Sequence, residues 1–132
     1  MPNKHMDRHP SAAVKIIIKW KSRILIRRHQ SGVFDFPGGR MKFGETILGT
    51  LKRELREELD YNLIKEPKFL DVYNYISKNK RRHSVFLNYI LRLKEKPKLV
   101  DKEGAENLWL TKKNFISRKI IKEREFLDKI FR

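Results

Sequence analysis

Three glutamates fall within five residues, at Glu54, Glu57 and Glu58, in the stretch "FPGGRMKFGETILGTLKRELREELDY" from Phe36 to Tyr61. On a helix, positions three and four apart share a face, and unpaired like charges there destabilise by a few tenths of a kcal/mol per pair. The chain as a whole carries a formal net charge of +16, with 32 Lys and Arg against 16 Asp and Glu, yet five of those sixteen acids (Glu45, Glu54, Glu57, Glu58 and Asp60) lie between Gly39 and Tyr61. A carboxylate cluster that runs against the background calls for a cation. Oxygen ligands of this kind suit a hard ion, Mg²⁺ or Mn²⁺, whose shell is completed by waters and by the phosphates of a substrate. An isolated "RELREEL" would read first as an ordinary solvated acidic face, so the surrounding pattern has to decide.

The elements that must position these carboxylates follow from periodicity. Leu48, Leu51, Leu55 and Leu59 recur at spacings of three and four, which predicts a helix with one buried stripe. At 100° per residue the glutamates occupy an arc about a quarter turn from that stripe, so the leucines can be buried while the carboxylates edge a cleft. Upstream, residues 12–20 ("AVKIIIKW") and 23–28 ("RILIRR") read as strands joined in a hairpin at Lys21-Ser22, followed by a turn at Pro37-Gly38-Gly39. Downstream, 69–77, 84–93 and 107–110 read as three more strands, with 78–83 the loop between the first two. Thr111 can cap a C-terminal helical region containing Phe115, Ile120, Ile121, Phe126, Leu127 and Ile130. The order β-β-α-β-β-β-α predicts an α+β fold, a mixed sheet with helices on its faces.

Composition narrows the field. At 132 residues and 39% hydrophobic, the chain is expected to be one domain over 12–132 preceded by a flexible polar lead-in, 1–11. With no cysteine it has neither a disulfide framework nor a thiolate metal site or cysteine nucleophile. Its apolar runs are far below the roughly 20 residues of a membrane helix, and the first residues lack the apolar core of a signal peptide, so a cytoplasmic setting is expected. The basic excess raises an RNA-binding reading. Its local runs, "KNKRR" at Lys78–Arg82 and the stretch 112–124, are dispersed, and the first has no aromatic residue within it. A solvated surface is therefore the expectation, with RNA as the secondary one.

Set in its full context, the acidic stretch resembles the signature of the Nudix hydrolase family, G-x5-E-x7-R-E-U-x-E-E-x-G-U with U bulky and apolar. Gly39, Glu45, Arg53, Glu54, Leu55, Glu57 and Glu58 match at every interval, and Tyr61 stands at the last U. "FPGG" upstream and "LWLTKKNF" downstream extend the likeness. Asp60 replaces the penultimate glycine, which in the family ends the helix in a left-handed conformation; Asp enters that region at a cost of about 1 kcal/mol. Lys42 stands where many relatives carry another glutamate.

The resemblance implies an α/β/α sandwich around a mixed sheet and a metal-dependent pyrophosphohydrolase, which splits a nucleoside diphosphate linked to another group by water attack at phosphorus. It implies Glu54, Glu57, Glu58 and the Gly38 carbonyl as ligands of Mg²⁺ (or Mn²⁺), Arg53 as the brace of these carboxylates, and Glu45 as its partner. The general base is either Glu54 or a loop carboxylate, Glu103, with Glu106 nearby. Arg27, Arg28 and Arg40 flank the turn as candidates for substrate phosphates. His29 and His83 could assist. Tyr73, Tyr75 and Phe86 could stack a base, although alternating strand aromatics are more often core. The positions where relatives acting on dinucleoside polyphosphates carry a tyrosine, and ADP-ribose hydrolases a proline, are Lys78 and Ile76 here. The expected substrate is then a nucleoside triphosphate or nucleotide sugar. An RNA 5′ end or a non-catalytic nucleotide- or RNA-binding module is the alternative, and monomer and homodimer are both open.

Overall fold

The computed structural model describes residues 8–132, so residues 1–7 of the expected lead-in lie outside the described residues. Strands β1 (Ser11–Trp20) and β2 (Arg23–Arg28) form the expected hairpin, with Lys21 in the left-handed region at φ 55°. Two short strands follow, β3 (Phe34–Asp35) and β4 (Gly38–Arg40), and then helix α1 (Ile47–Leu59). Strands β5 (Lys68–Ile76), β6 (His83–Leu93) and β7 (Glu106–Thr111) lead to helices α2 (Lys112–Ser117) and α3 (Arg124–Ile130). The expected Pro37-Gly38-Gly39 turn is corrected: from Gly38 the chain is strand, paired antiparallel to β1 with Gly38 opposite Lys15 and Gly39 opposite Val14. A Cβ on Gly38, at φ +130°, would sit 2.0 Å from the Val14 carbonyl oxygen, so only glycine permits this close approach.

The sheet is mixed. β1 runs parallel to β6 from Ser11↔Ser84 to Trp20↔Leu93, while every other pairing is antiparallel, in the order β3-β2-β1-β6-β5 with β4 on β1 and β7 on β2. The "KIIIK" run is explained by this central position: Ile16 and Ile18 pack with Leu51, Leu55 and Leu59 of α1, whereas Ile17 faces Phe115, Leu127 and Ile130 of the C-terminal helices. Alternate residues of one strand thus feed two cores, one on each face, as a sheet covered on both sides requires. α1 begins at Thr46, whose hydroxyl accepts from the Gly49 amide, and ends at Asp60 in the left-handed conformation (φ 54°, ψ 38°). The substitution of the signature glycine therefore leaves helix termination intact. Thr111 caps α2 in a reciprocal box with Asn114. No helix among the described residues is long and apolar enough to cross a membrane.

Candidate active site

α1 buries Leu51, Leu55 and Leu59 and turns Glu54, Glu57 and Glu58 toward β4 and the loop before β7. Arg53 gathers acidic residues from the helix and from the loop before it. Its Nε and Nη2 form a two-point pair with Glu45 at 2.7 and 3.0 Å, Nη1 reaches Glu54 at 2.8 Å and Glu57 at 3.4 Å, and Nη2 also donates to the Arg40 carbonyl at 2.9 Å. This fork geometry is what guanidinium offers and ammonium does not. Arg53 hydrogen bonds, aided by the Lys42 amide, bring the Glu45 carboxyl down to about 2, so Glu45 stays ionised throughout the working range. Thr50, buried behind it, donates to the same carboxylate at 3.1 Å.

Gly39 faces this helix. A Cβ there would stand 2.5 Å from the Glu54 carboxylate, so the missing side chain is the space Glu54 occupies. The neighbouring Gly38 amide donates to Glu58 Oε1 at 2.8 Å. Glu58 is only 6% exposed. Burial pushes its carboxyl up to about 7, against the Gly38 amide, Arg27 and Lys15, and with the nearby Glu54 charge adding to the rise. Such a carboxylate has less positive charge around it than its burial demands.

Arg27 is placed differently from the sequence expectation. Instead of offering its guanidinium to a substrate phosphate, it is 1% exposed and fully engaged: Nη1 donates to Glu58 at 2.8 Å, Nε and Nη2 to Asp101 at 2.9 and 3.1 Å, and Nη2 to Glu103 at 3.1 Å. The reason is its register. Arg27 follows Ile26 on a strand buried on both faces, so its side chain points to the α1 side, into the carboxylates. Burial works against the charge on Arg27, but the surrounding acids outweigh it and raise its pKa. Asp101, which sequence reasoning passed over, is likewise held below the usual range by Arg27 and by the amides of Ala105 and Glu103, despite its burial. The signal was present in "DKEGAE", an Asp ahead of a tight turn at Gly104 (φ +78°). Through Arg27, Glu103 is brought within one guanidinium of Glu58 and keeps a half-exposed carboxylate. Glu106 sits at the exposed start of β7, opposite Arg28.

The remaining candidates separate. Arg28 and Arg40 are exposed, at the end of β2 and of β4. His29 approaches Asp35 at 3.9 Å, whereas His83 bonds Asn74 at 2.6 Å, away from the carboxylates on the β5–β6 hairpin. The three aromatics are not core. Tyr73 and Tyr75 are 54% and 42% exposed, and both lie against Phe86 at 6.4 and 6.5 Å between ring centroids. Tyr73 and Phe86 line a cavity of about 320 Å³ with Phe36, Phe126, Asp71 and Asn88, and Asn88 donates to Asp71 at 2.9 Å. Lys15, on its wall, bonds Asp35 and the Phe36 carbonyl.

As a cation site, the donor set is chemically suitable. Glu54 and Glu58 are stacked one turn apart beside Glu57, all hard oxygen donors, and Glu58 is short of positive charge. Asn107, opposite Arg27 across the sheet, has a buried Oδ1 without a partner. Among the described residues no three acidic or histidine side chains are already drawn into a coordination cluster; their oxygens are held instead by Arg27, Arg53 and the Gly38 amide. The residues fit a divalent ion that recruits them from one helical face.

The NUDIX domain family matches residues 8–131. The chain is 29% identical over 96 residues to a protein of Buchnera aphidicola subsp. Acyrthosiphon pisum named 8-oxo-dGTP diphosphatase, a stretch covering 73% of this chain and 74% of that one. It is 32% identical over 87 residues to an ADP-ribose pyrophosphatase of Methanocaldococcus jannaschii, covering 63% of this chain and about half (51%) of the archaeal protein. In three dimensions it superposes on a MutT NUDIX hydrolase from Burkholderia pseudomallei with a TM-score of 0.71 at 21% identity, covering 93% of this chain and 99% of that one.

Proposed function

The chain belongs to the Nudix hydrolase family, and from that premise we propose that it is a Mg²⁺- or Mn²⁺-dependent pyrophosphohydrolase acting on a nucleoside diphosphate linked to a further group, with a nucleoside triphosphate as the first choice. The observation that carries the reading is the arrangement of Glu54, Glu57 and Glu58 on one face of α1, held by Arg53 and Glu45 on one side and by Arg27 and the Gly38 amide on the other. The named relatives act on two different substrates, 8-oxo-dGTP and ADP-ribose. Ile76, where ADP-ribose hydrolases tend to carry proline, favours the triphosphate.

In this reading Glu54, Glu57 and Glu58, with the Gly38 carbonyl, hold the cation. A divalent ion held there would supply polarisation of the phosphoryl oxygens, neutralisation of developing charge and a lowered pKa for the attacking water. A water oxygen forms the new bond to phosphorus, the bridging P–O bond breaks, and the bridging oxygen leaves with the departing phosphate. The proton released by the water goes to Glu103 or to Glu54. Arg53, Glu45, Arg27 and Asp101 act as positioning residues: they do not touch substrate but keep the carboxylates within reach of a cation. Arg28 and Arg40 are the exposed cations left to meet substrate phosphates, and the aromatic cavity takes the base.

The test is turnover of a nucleotide panel, with ADP-ribose included, under Mg²⁺ and under Mn²⁺, for the parent and for Glu58→Gln. The amide keeps the volume and loses the charge, so turnover is expected to fall by about 100-fold or more while the fold persists. Full turnover by Glu58→Gln at limiting Mg²⁺ would remove the metal-site assignment. Glu103→Gln and Glu54→Gln, compared in kcat at saturating metal, assign the proton acceptor.

A further inference from the structure

The basic residues that look dispersed along the chain converge in space. Arg8, Arg40, Lys80, Arg81 and Arg82 line one groove of about 590 Å³, together with Ser11 and Ser84, and no acidic residue among the described residues lines it. Arg8 is held across the groove by a bond from Nη2 to the Arg81 carbonyl at 3.1 Å, and the Ser11 and Ser84 hydroxyls meet at 3.0 Å on its floor. None of the five cations has an acidic partner within 4 Å among the described residues. Clustered, exposed and without an acidic partner among the described residues, they form a site for a polyanion.

Strand register shows what lies beside the groove. Tyr75 pairs with Ser84, Tyr73 with Phe86, and Asp71 with Asn88; the same three β6 residues pair with Ser11, Ala13 and Lys15 of β1. Paired residues share a face of a sheet, so Tyr75, Tyr73 and Phe86 form an aromatic strip leading from the basic groove to the cavity at Asp71 and Asn88. Arg40, opposite Ala13, belongs to this face, while its neighbour Gly39 faces Glu54 on the other. The groove and the carboxylates are thus separated by the thickness of one three-residue strand.

We infer that this face binds single-stranded nucleic acid, its phosphates in the groove of Arg8, Arg40, Lys80, Arg81 and Arg82 and its bases on Tyr75, Tyr73 and Phe86. A cationic channel that tracks the backbone beside exposed aromatic rings is the physical requirement for binding an unpaired strand, since every base has a face to stack and every phosphate a charge to neutralise. A free nucleotide spans only part of this strip. A strand with its 5′ phosphates at the carboxylates and its following nucleotides along β5 and β6 spans all of it. This orientation rests on the hydrolase reading; the binding itself does not.

The test separates the two. Binding of a 3′-fluorescein single-stranded RNA bearing a 5′-triphosphate is followed by anisotropy in EDTA, where no turnover occurs, across a salt series. The charge-reversal variant Lys80→Glu/Arg81→Glu/Arg82→Glu, confined to the hairpin loop, is expected to bind at least about tenfold more weakly. Its slope of log K against log[salt] should be shallower by about 2, three cations contributing about 0.7 each. Its turnover of a free nucleoside triphosphate is expected to match the parent. Tyr75→Ala should weaken strand binding about tenfold without changing the salt slope, because stacking carries no counterions. DNA of the same sequence is expected to bind comparably, and a duplex more weakly, since its bases are closed to the tyrosines. Parental affinity and slope in the triple variant, or equal binding of the duplex, would overturn the inference and leave the hydrolase reading standing. Groove-dependent binding in a protein that turns over no nucleotide would do the reverse.

Discussion

Replacing Arg27 by methionine isolates the interaction on which the site's rigidity depends. The side chain keeps its volume and apolar stem, but buried Glu58 and Asp101, whose side chain is 7% exposed, lose a guanidinium that donates to them at 2.8, 2.9 and 3.1 Å. Removing one partner of a buried ion pair costs about 3–5 kcal/mol, because the remaining charge is stranded; the half-exposed Glu103 adds little. At about 2.1 cal/mol/K per residue, a domain of this size unfolds with an entropy of roughly 0.28 kcal/mol/K, so the loss corresponds to a fall in Tm of about 11–18 °C. The pH dependence carries the mechanism. In the parent, Asp101 is held below its usual range, so its stabilisation is present above its unfolded pKa near 4 and lost as pH falls through its lower folded value. Without Arg27 both carboxyls titrate upward, and ionising either one opposes folding. The deficit should therefore be smallest near pH 4–5 and widest near pH 8. Thermal melts at both pH values measure it. A cycle with Glu58→Gln should show Arg27→Met costing at least about 1 kcal/mol less in the neutral background. If Arg27→Met melts within about 3 °C of the parent at pH 8, the carboxylates are hydrated and the buried network does not exist.

Three further outcomes are expected. Glu58, raised to about 7, favours the metal-free fold below its unfolded value near 4.5 and withdraws that support as pH rises through 7, so the Tm gain on adding Mg²⁺ should grow between pH 6 and 8 as the carboxylate is freed; a gain of the same size in the Glu54→Gln/Glu57→Gln/Glu58→Gln variant would place the cation elsewhere. Gly39→Ala should fold but lose turnover, because its Cβ meets the movable Glu54 carboxylate at 2.5 Å, whereas Gly38→Ala should fail to fold, because its Cβ meets the Val14 backbone at 2.0 Å; circular dichroism and activity of the two variants would contradict this if they behaved alike. Asp60→Gly should raise the Tm by about 2–4 °C by relieving a left-handed residue at φ 54°, and a lower Tm would show that the Asp60 side chain stabilises the helix end by more than its backbone strain costs.

Much of α1 and its chemistry could be read directly from the residues. The spacing of Leu51, Leu55 and Leu59 determines which face is buried, and the same 3.6-residue period determines that Glu54, Glu57 and Glu58 share another. Arg53 reaches Glu54 and Glu57 because positions one and four residues away on a helix lie within its span. Thr46 and Thr111 cap their helices for equally local reasons. What tertiary structure decided depends on register between segments far apart in the chain. Whether Arg27 meets solvent or Glu58 follows from β2 lying between β1 and β7, and Asp101 enters only because the loop before β7 closes over the same guanidinium. Gly38 and Gly39 look like a turn until β1 is beside them. The run Lys78–Arg82 contains no aromatic residue, yet the pairing of β5 with β6, and the parallel pairing of β6 with β1, set it beside Tyr75, Phe86, Arg8 and Arg40. Periodicity along one element is local and visible in the letters; the alignment of one strand against another is settled by burial of the whole sheet, and only that alignment decides which distant charges meet.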